Sequence, residues 1–366
     1  MKNQKSFIVL TVFLVLIAVF LISCVPKNNP DETAVSPTPK PSVIIETPEP
    51  TPTEPPEPTP PPFRNPLSGA PLETRPENLR PYAIMINNLS VALPHMGVSK
   101  AEIIYEALAE GEITRMLAIF SDITDVGVLG SMRSARPYYI EIARSYDAVF
   151  VHAGGSEQAY SDIYAKGVNS IDGVRGAYGE QIFYRDSTRA QHGIEHSLFT
   201  TSELLHEYMP ILGYKTHHAQ EDFNYGLTFD DDVDMGGGVS AEQVTVSFAG
   251  LKTTNFTYDG YKFYTASQYD IDYIDGTTNE PVLFRNILVL YASTQILDNE
   301  GRRSVNLTGT GTGHYICNGK TLDINWSRTA NGEIFTYSLT DGTPLTLAAG
   351  HSYIGIVPTG STTLIQ

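Results

Sequence analysis

The hydrophobic pattern changes rhythm several times along the chain. Residues 7–22 form one apolar run broken only by Thr11, with Lys2 and Lys5 ahead of it. Residues 25–62 show no periodicity. From residue 63 to about 212, short apolar runs alternate with stripes at helical spacing. Beyond residue 240 the pattern is short apolar or alternating runs separated by turns. In the first of these two regions the runs predict strands at 82–86, 113–120, 126–130, 147–151 and 168–171. A helix is predicted over 99–110, where Ser99 and Glu102 form a capping box and Ile103, Ile104, Ala107 and Leu108 a stripe. Further helices are predicted at 137–146, opened by Pro137, and from Ser156 to Lys166, closed by Gly167. A last one follows the Thr200/Glu203 capping box and ends at Pro210.

This alternation implies an α+β fold whose N-terminal part is a mixed sheet with packed helices. Residues 240–366 read as a β-rich C-terminal domain. Asp259-Gly260, Asp275-Gly276, Asn318-Gly319, Asn331-Gly332 and Asp341-Gly342 mark its turns, and 244–248, 287–291 and 353–357 are strands. The expected organisation is therefore a signal at 1–23, a Pro-rich tether at 24–62 and an α+β domain at 63–212. An acidic, glycine-containing linker at 213–239 and the β-rich domain at 240–366 complete it.

The N-terminus decides the compartment. Leu21-Ile22-Ser23-Cys24 closes the apolar run and matches a bacterial lipobox, which makes Cys24 the expected site of lipid attachment. The folded part is then extracytoplasmic, held at the membrane by its lipid. Residues 25–62 carry 14 of the 24 prolines. Such a chain favours extended polyproline II and acts as a spacer of up to about 100 Å. Cys317 is the second of two cysteines, so with Cys24 lipidated no internal disulfide is available.

The net charge of −17 argues against a nucleic-acid partner, since sequence-independent affinity for phosphates comes from clustered Lys and Arg. Against that background, Arg133-Ser134-Ala135-Arg136-Pro137 stands out: two guanidiniums enter a helix N-terminus, where backbone donors also favour an anion. The turn His152-Ala153-Gly154-Gly155-Ser156 is a second strand-to-helix junction, with two glycines that let a ligand approach the backbone. If both junctions lie at one sheet edge, Arg133, Ser134, Arg136, His152, Gly154, Gly155 and Ser156 line one ligand cleft.

Four ordered segments carry a family resemblance. They are Arg80-Pro-Tyr-Ala-Ile-Met-Ile-Asn-Asn88, Tyr105-Glu106 through Glu110-Gly111 to Thr114-Arg115, Arg133-Ser-Ala-Arg-Pro137 and His152-Ala-Gly-Gly-Ser156. In these the chain resembles the YerB-like lipoproteins over roughly residues 65–360. It departs from them at Gly130-Ser131-Met132, where Gly-Pro-Val is usual, and at Glu195-His196-Ser197, where Pro-His-Asn is usual. The resemblance implies a lipid-anchored envelope protein with an α+β N-terminal and a β-rich C-terminal domain. It brings no activity with it.

The expected role is accordingly binding or scaffolding at the envelope. The ligand would be anionic or a glycan, and the partner a wall polymer or an envelope protein. The competing expectation is a wall-active hydrolase in which Glu106 or Asp186 pairs with His152 or His196. Glu102, Glu106 and Glu110 recur every four residues on what would be the solvated face of the 99–110 helix. No cofactor is expected, because no Walker loop, nucleophile elbow or dinucleotide fingerprint is present. No metal site is expected either. His192-Gly-Ile-Glu195-His196 has the H-x-x-E-H spacing but carries Gly193 and lies in a loop. Asp230, Asp232 and Asp234 mimic a calcium loop with its glycine one position late and Ala241 where Glu is needed.

Overall fold

The computed structural model describes residues 63–366. The signal at 1–23, Cys24 and the tether at 24–62 lie outside the described residues. Nineteen elements of the fold matter here. The N-terminal half contributes β1 (Tyr82–Asn87), β2 (Ile103–Glu110), β3 (Ile113–Phe120), β4 (Val128–Gly130), α1 (Pro137–Ser145), β5 (Val149–His152), α2 (Glu157–Ala165), β6 (Ser170–Asp172), β7 (Tyr184–Arg185), β8 (Leu198–Thr201) and α3 (Ser202–Ile211). The C-terminal half contributes β9 (Gln243–Ala249), β10 (Lys252–Tyr258), β11 (Tyr264–Gln268), β12 (Asn286–Ala292), β13 (Gly309–Cys317), β14 (Lys320–Arg328), β15 (Ser352–Pro358) and β16 (Thr363–Ile365).

An 11-stranded sheet runs through both halves and contains the order β14-β13-β12-β15-β2-β3-β1-β5-β6, with β6 at one edge. The junction between halves is the parallel pair β15/β2, in which Tyr353 lies beside Ile104 and Gly355 beside Glu106. A second, six-stranded sheet holds β11-β10-β9-β16 and covers one face of the first. Ile84, Ile86, Ile104 and Leu108 from the large sheet and Val244, Val246, Phe248 and Phe256 from the small one form that core. The other face of the large sheet buries Ala83, Met85, Ile103, Tyr105 and Leu117 against Tyr139, Ile142 and Ala143 of α1. The segment between the halves is packed down as well. His218 is buried, bonded to Asp147 at 2.8 Å and to the Tyr225 hydroxyl at 2.8 Å, and Phe229–Asp230 pairs with Leu347–Ala348.

The molecule is richer in strand and poorer in helix than the sequence suggests. The expected helix over 99–110 is a short 3-10 turn, Val98–Lys100, followed by β2. The physical reason is burial on both faces. Every residue from Ile103 to Ala109 is buried, so a central strand needs apolar side chains at consecutive positions, and such a run contains a helical stripe by accident. Its apparent capping box serves other ends: Ser99 bonds Asp275 through its amide and hydroxyl, and Glu102 accepts from Asn65 and Ser121. The helices at 137–146 and 157–166 are found as α1 and α2. At α3 the cap is Thr201, one residue later than expected, and Pro210 sits inside the last turn. No helix among the described residues is long and apolar enough to cross a membrane.

Burial disfavours the charged form of several histidines, His95 and His152 fully buried and His351 partly so. Burial pushes His95 down to about 3 and lowers His152 and His351 as well. An unfolded histidine takes up a proton as pH falls below about 6.5, whereas folded His95 does not. The stability that His95 contributes should therefore be fully present above pH 6.5 and decline by about 1.4 kcal/mol per pH unit as pH falls toward 3, with His152 and His351 acting in the same direction. Urea midpoints between pH 7 and 4.5 check this. A midpoint flat across that range would contradict it, and His95→Gln should flatten the slope.

Candidate functional site

The segment leaving β4 runs beside the exit of β5. Ala153 N–H donates to the Arg133 carbonyl at 3.0 Å, and Ala135 N–H to the Gly154 carbonyl at 2.8 Å. This parallel contact brings Arg133 and Ser134 against Gly154 and Gly155 in one cleft of about 320 Å³. Gly154 has φ +74°, and a Cβ there would lie 3.5 Å from Val174 and 3.7 Å from the Ser134 hydroxyl, inside the cleft. The opposite wall comes from residues 174–198: Val174, Arg175, Arg185, Ile194 and Glu195. Three guanidiniums thus surround one opening in an acidic protein.

Their environments differ. Arg133 donates to the Glu195 carbonyl at 3.0 Å. Burial, with the Arg115 charge beside it, pushes its pKa down to about 10. Arg185 donates to the Ile194 carbonyl and, at 3.2 Å, to the Ser197 hydroxyl. Neither Arg133 nor Arg185 makes an ion pair with a carboxylate among the described residues. Arg175 lies 4.1 Å over the Tyr160 ring and pairs with exposed Glu157 at 2.9 Å. A fork held by a backbone carbonyl is oriented without being neutralised, so its remaining N–H groups can receive an anion.

Asp172 at the end of β6 ties the two walls together. One oxygen accepts Gly154 N–H at 2.7 Å and Val174 N–H at 2.9 Å. The other accepts the Tyr160 hydroxyl at 2.8 Å and Arg175 N–H at 3.1 Å. Burial, together with the bond to Asp172, raises the Tyr160 pKa.

The remaining candidates lie elsewhere. Ser156 caps α2 by accepting Ala159 N–H at 3.2 Å. His152 is buried, bonded through Nδ1 to the Gly154 carbonyl at 2.8 Å and stacked on Phe150. It supports the glycine turn without lining the cleft. Arg136 does not share the site of Arg133. Its backbone is extended, which sends residues three apart to opposite sides, and its guanidinium pairs with Glu110. Glu110 also pairs with Arg115 at 2.7 Å, so one carboxylate serves two arginines.

The carboxylate–histidine pairs expected of a hydrolase are not formed. Glu106 is completely buried between the two sheets, bonded to Asn88 (2.9 Å), Thr114 (2.6 Å), Thr254 (2.8 Å) and Tyr353 (2.8 Å), with Lys252 Nζ at 3.3 Å. The solvated helical face expected for it is a strand interior. Asp186 caps a helical turn, Ser187–Ala190, by accepting Arg189 N–H at 2.7 Å. His196 is bonded through Nδ1 to Asn87 at 2.8 Å. Burial, with the Arg133 charge, lowers its pKa. Neither carboxylate lies within 4.0 Å of His152 or His196. No group of three or more His, Cys, Asp or Glu among the described residues is placed to hold a metal ion.

Arg175, Arg185, Tyr160 and Asp172 were not singled out by the sequence. Tyr160 and Asp172 belong to a predicted helix and the end of a predicted strand but carried no motif, and Arg175 and Arg185 are lone residues in a segment without periodicity. The only signal was Arg185 standing beside Asp186, and it needed the long-range ladder β7/β8/β4 to acquire meaning.

A strand-rich α+β molecule with one sheet shared by two halves, and an arginine-lined cleft in the first, defines the class. The chain belongs to the family described as protein of unknown function DUF3048. Residues 67–215 match its N-terminal domain and residues 244–354 its C-terminal domain. It is similar to the "Putative lipoprotein YerB" of Bacillus subtilis (strain 168), with 30% identity over 301 residues, 81% of this chain and 86% of the relative. The crystal structure of YerB protein from Bacillus subtilis matches with a TM-score of 0.71 at 29% identity, over 82% of this chain and 99% of that one.

Proposed function

We propose that this protein is a lipid-anchored component of the cell envelope that binds an anionic ligand in the cleft of Arg133, Arg175 and Arg185. One observation carries the binding role: three guanidiniums meet at one cleft, and two of them are held by carbonyl or hydroxyl oxygens and not by carboxylates. Arg175 is paired with Glu157, whereas Arg133 and Arg185 form no ion pair with a carboxylate among the described residues, so their charge is available to an anion. The anchor rests on the basic start, the apolar run and the lipobox ending at Cys24, together with the lipoprotein name of the Bacillus relative. The Pro-rich tract would hold the folded part away from the membrane, within reach of wall polymers.

The test is sedimentation of the protein with purified cell walls at 50 and 500 mM salt. Binding should be lost at high salt, and Arg133→Ala with Arg185→Ala should lower it by at least tenfold without changing thermal stability by more than a few degrees. Each charge-assisted hydrogen bond removed is worth about 1.5–3 kcal/mol. Salt-insensitive binding, or binding retained by the double variant, would sink the cleft as the binding site.

A further inference from the structure

Building on the anion-binding reading, we propose that the ligand of this cleft is a phosphate ester, held by its phosphoryl oxygens among Arg133, Arg175 and Arg185. The arginines come from three separate segments: the strand exit after β4, the loop after β6, and β7. A carboxylate is planar and is satisfied by one guanidinium fork with two parallel N–H donors. A phosphoryl group presents oxygens in several directions and spreads its charge over them, so it accepts forks arriving from different sides. The Arg133 and Arg185 guanidiniums are turned by carbonyls of neighbouring residues, Glu195 and Ile194, which fixes their orientation and leaves further N–H donors on each. Arg175 is steadied by the Tyr160 ring beneath it.

The cleft also speaks to what carries the phosphate. Its volume of about 320 Å³ is at the small end of ligand pockets and suits one phosphate with a small organic group. Ala153, Val174, Ile194 and Leu198 line the same cleft as the arginines, with Glu195 also in its wall. Val174 and Ile194 are 58% and 57% exposed at its rim, where the organic part would leave the site. The absence of a side chain at Gly154 keeps the floor open beside Ser134.

The proposal is tested by calorimetric titration of the full chain, purified in mild detergent, at pH 7.5 and low salt. The probes are glycerol 3-phosphate, dimethyl phosphate, inorganic phosphate and succinate. Succinate matches the charge of the monoester and differs in the geometry of its oxygens. Glycerol 3-phosphate or dimethyl phosphate should bind at least tenfold more tightly than succinate. A preference for the monoester points to a free small phosphate, and a preference for the diester to a phosphate within a polymer chain. Arg133→Lys keeps the charge and removes the fork, and should cost tenfold or more in phosphate affinity. Arg75→Ala, which removes an exposed arginine paired with Asp222, should cost nothing. Succinate binding as tightly as the phosphate esters would overturn the phosphate assignment while leaving an anion site. No binding by any of the four would overturn the anion reading itself.

Discussion

Replacing Glu106 with alanine should destabilise the fold by about 3–5 kcal/mol, the cost of leaving a buried charge without its partner. The partner is Lys252 Nζ, 3.3 Å away and buried like Glu106 itself. Burial lowers the Lys252 pKa, and the Glu106 carboxylate opposes that shift. Four neutral donors complete the carboxylate's shell: Asn88 and Thr114 from the N-terminal half, Thr254 and Tyr353 from the C-terminal half. Lys252 donates in turn to Gln268 at 2.6 Å and lies 4.4 Å from the Tyr269 ring. The network thus pins the small sheet onto the large one. Glu106→Gln, the substitution that would probe a catalytic acid, should already lose more than 2 kcal/mol because Lys252 remains buried. Removing both charges with Glu106→Gln and Lys252→Met should cost clearly less than the sum of the two single changes, since neither group is then left alone. Urea unfolding of the parent, Glu106→Ala and the three variants of the cycle measures this. A loss below about 1 kcal/mol for Glu106→Ala, or strict additivity in the cycle, would remove the network from its structural role.

Glu106 also shows how far the sequence could be read. The spacing of Glu102, Glu106 and Glu110 at every fourth position fits one face of a helix and one face of a strand equally well, because four is a multiple of the strand period and close to the helical one. The decision between them lay in β15, almost 250 residues away, which closes the parallel pair with β2. Local signals were reliable where an element is local. Pro137 opens α1, Ser156 caps α2, and the Asp259-Gly260 turn follows β10. The two strand-to-helix junctions of the cleft were legible for the same reason, since Pro137 marks one and two glycines with the Ser156 cap mark the other. The far wall was not. Arg175 lies in the loop after β6, a strand the apolar run at 168–171 did announce, and Arg185 owes its position to the two-residue β7 pairing with β8, which no periodicity announces. Arg136 was placed with Arg133 because both precede Pro137 at one strand-to-helix turn, but the segment is extended until Pro137 and the Arg136 guanidinium pairs with Glu110.

The second large effect concerns Asp172, and its value lies in the sign. Asp172 is a negative charge behind a cleft that we assign to an anion. By Coulomb's law alone, Asp172→Asn should strengthen ligand binding. The structure argues for the opposite. The Asp172 carboxylate receives Gly154 N–H, Val174 N–H, Arg175 N–H and the Tyr160 hydroxyl, and these four groups belong to both walls of the cleft. An asparagine can accept at one oxygen only, and its amide would point donors at donors. Two of the four groups are then left without an acceptor, at about 1–3 kcal/mol each. The 172–176 loop should loosen, carrying Arg175 away from its place over Tyr160. We therefore expect Asp172→Asn to lower thermal stability by several degrees and to weaken binding of glycerol 3-phosphate by at least tenfold. Tyr160→Phe, which removes one of the four donors and leaves the carboxylate its three backbone partners, should have a much smaller effect on both. Tighter binding by Asp172→Asn with unchanged stability would mean that the carboxylate acts on the cleft only through its charge. Weaker binding, with Tyr160→Phe close to the parent protein, would mean that it acts by holding the two walls at the separation an anion needs.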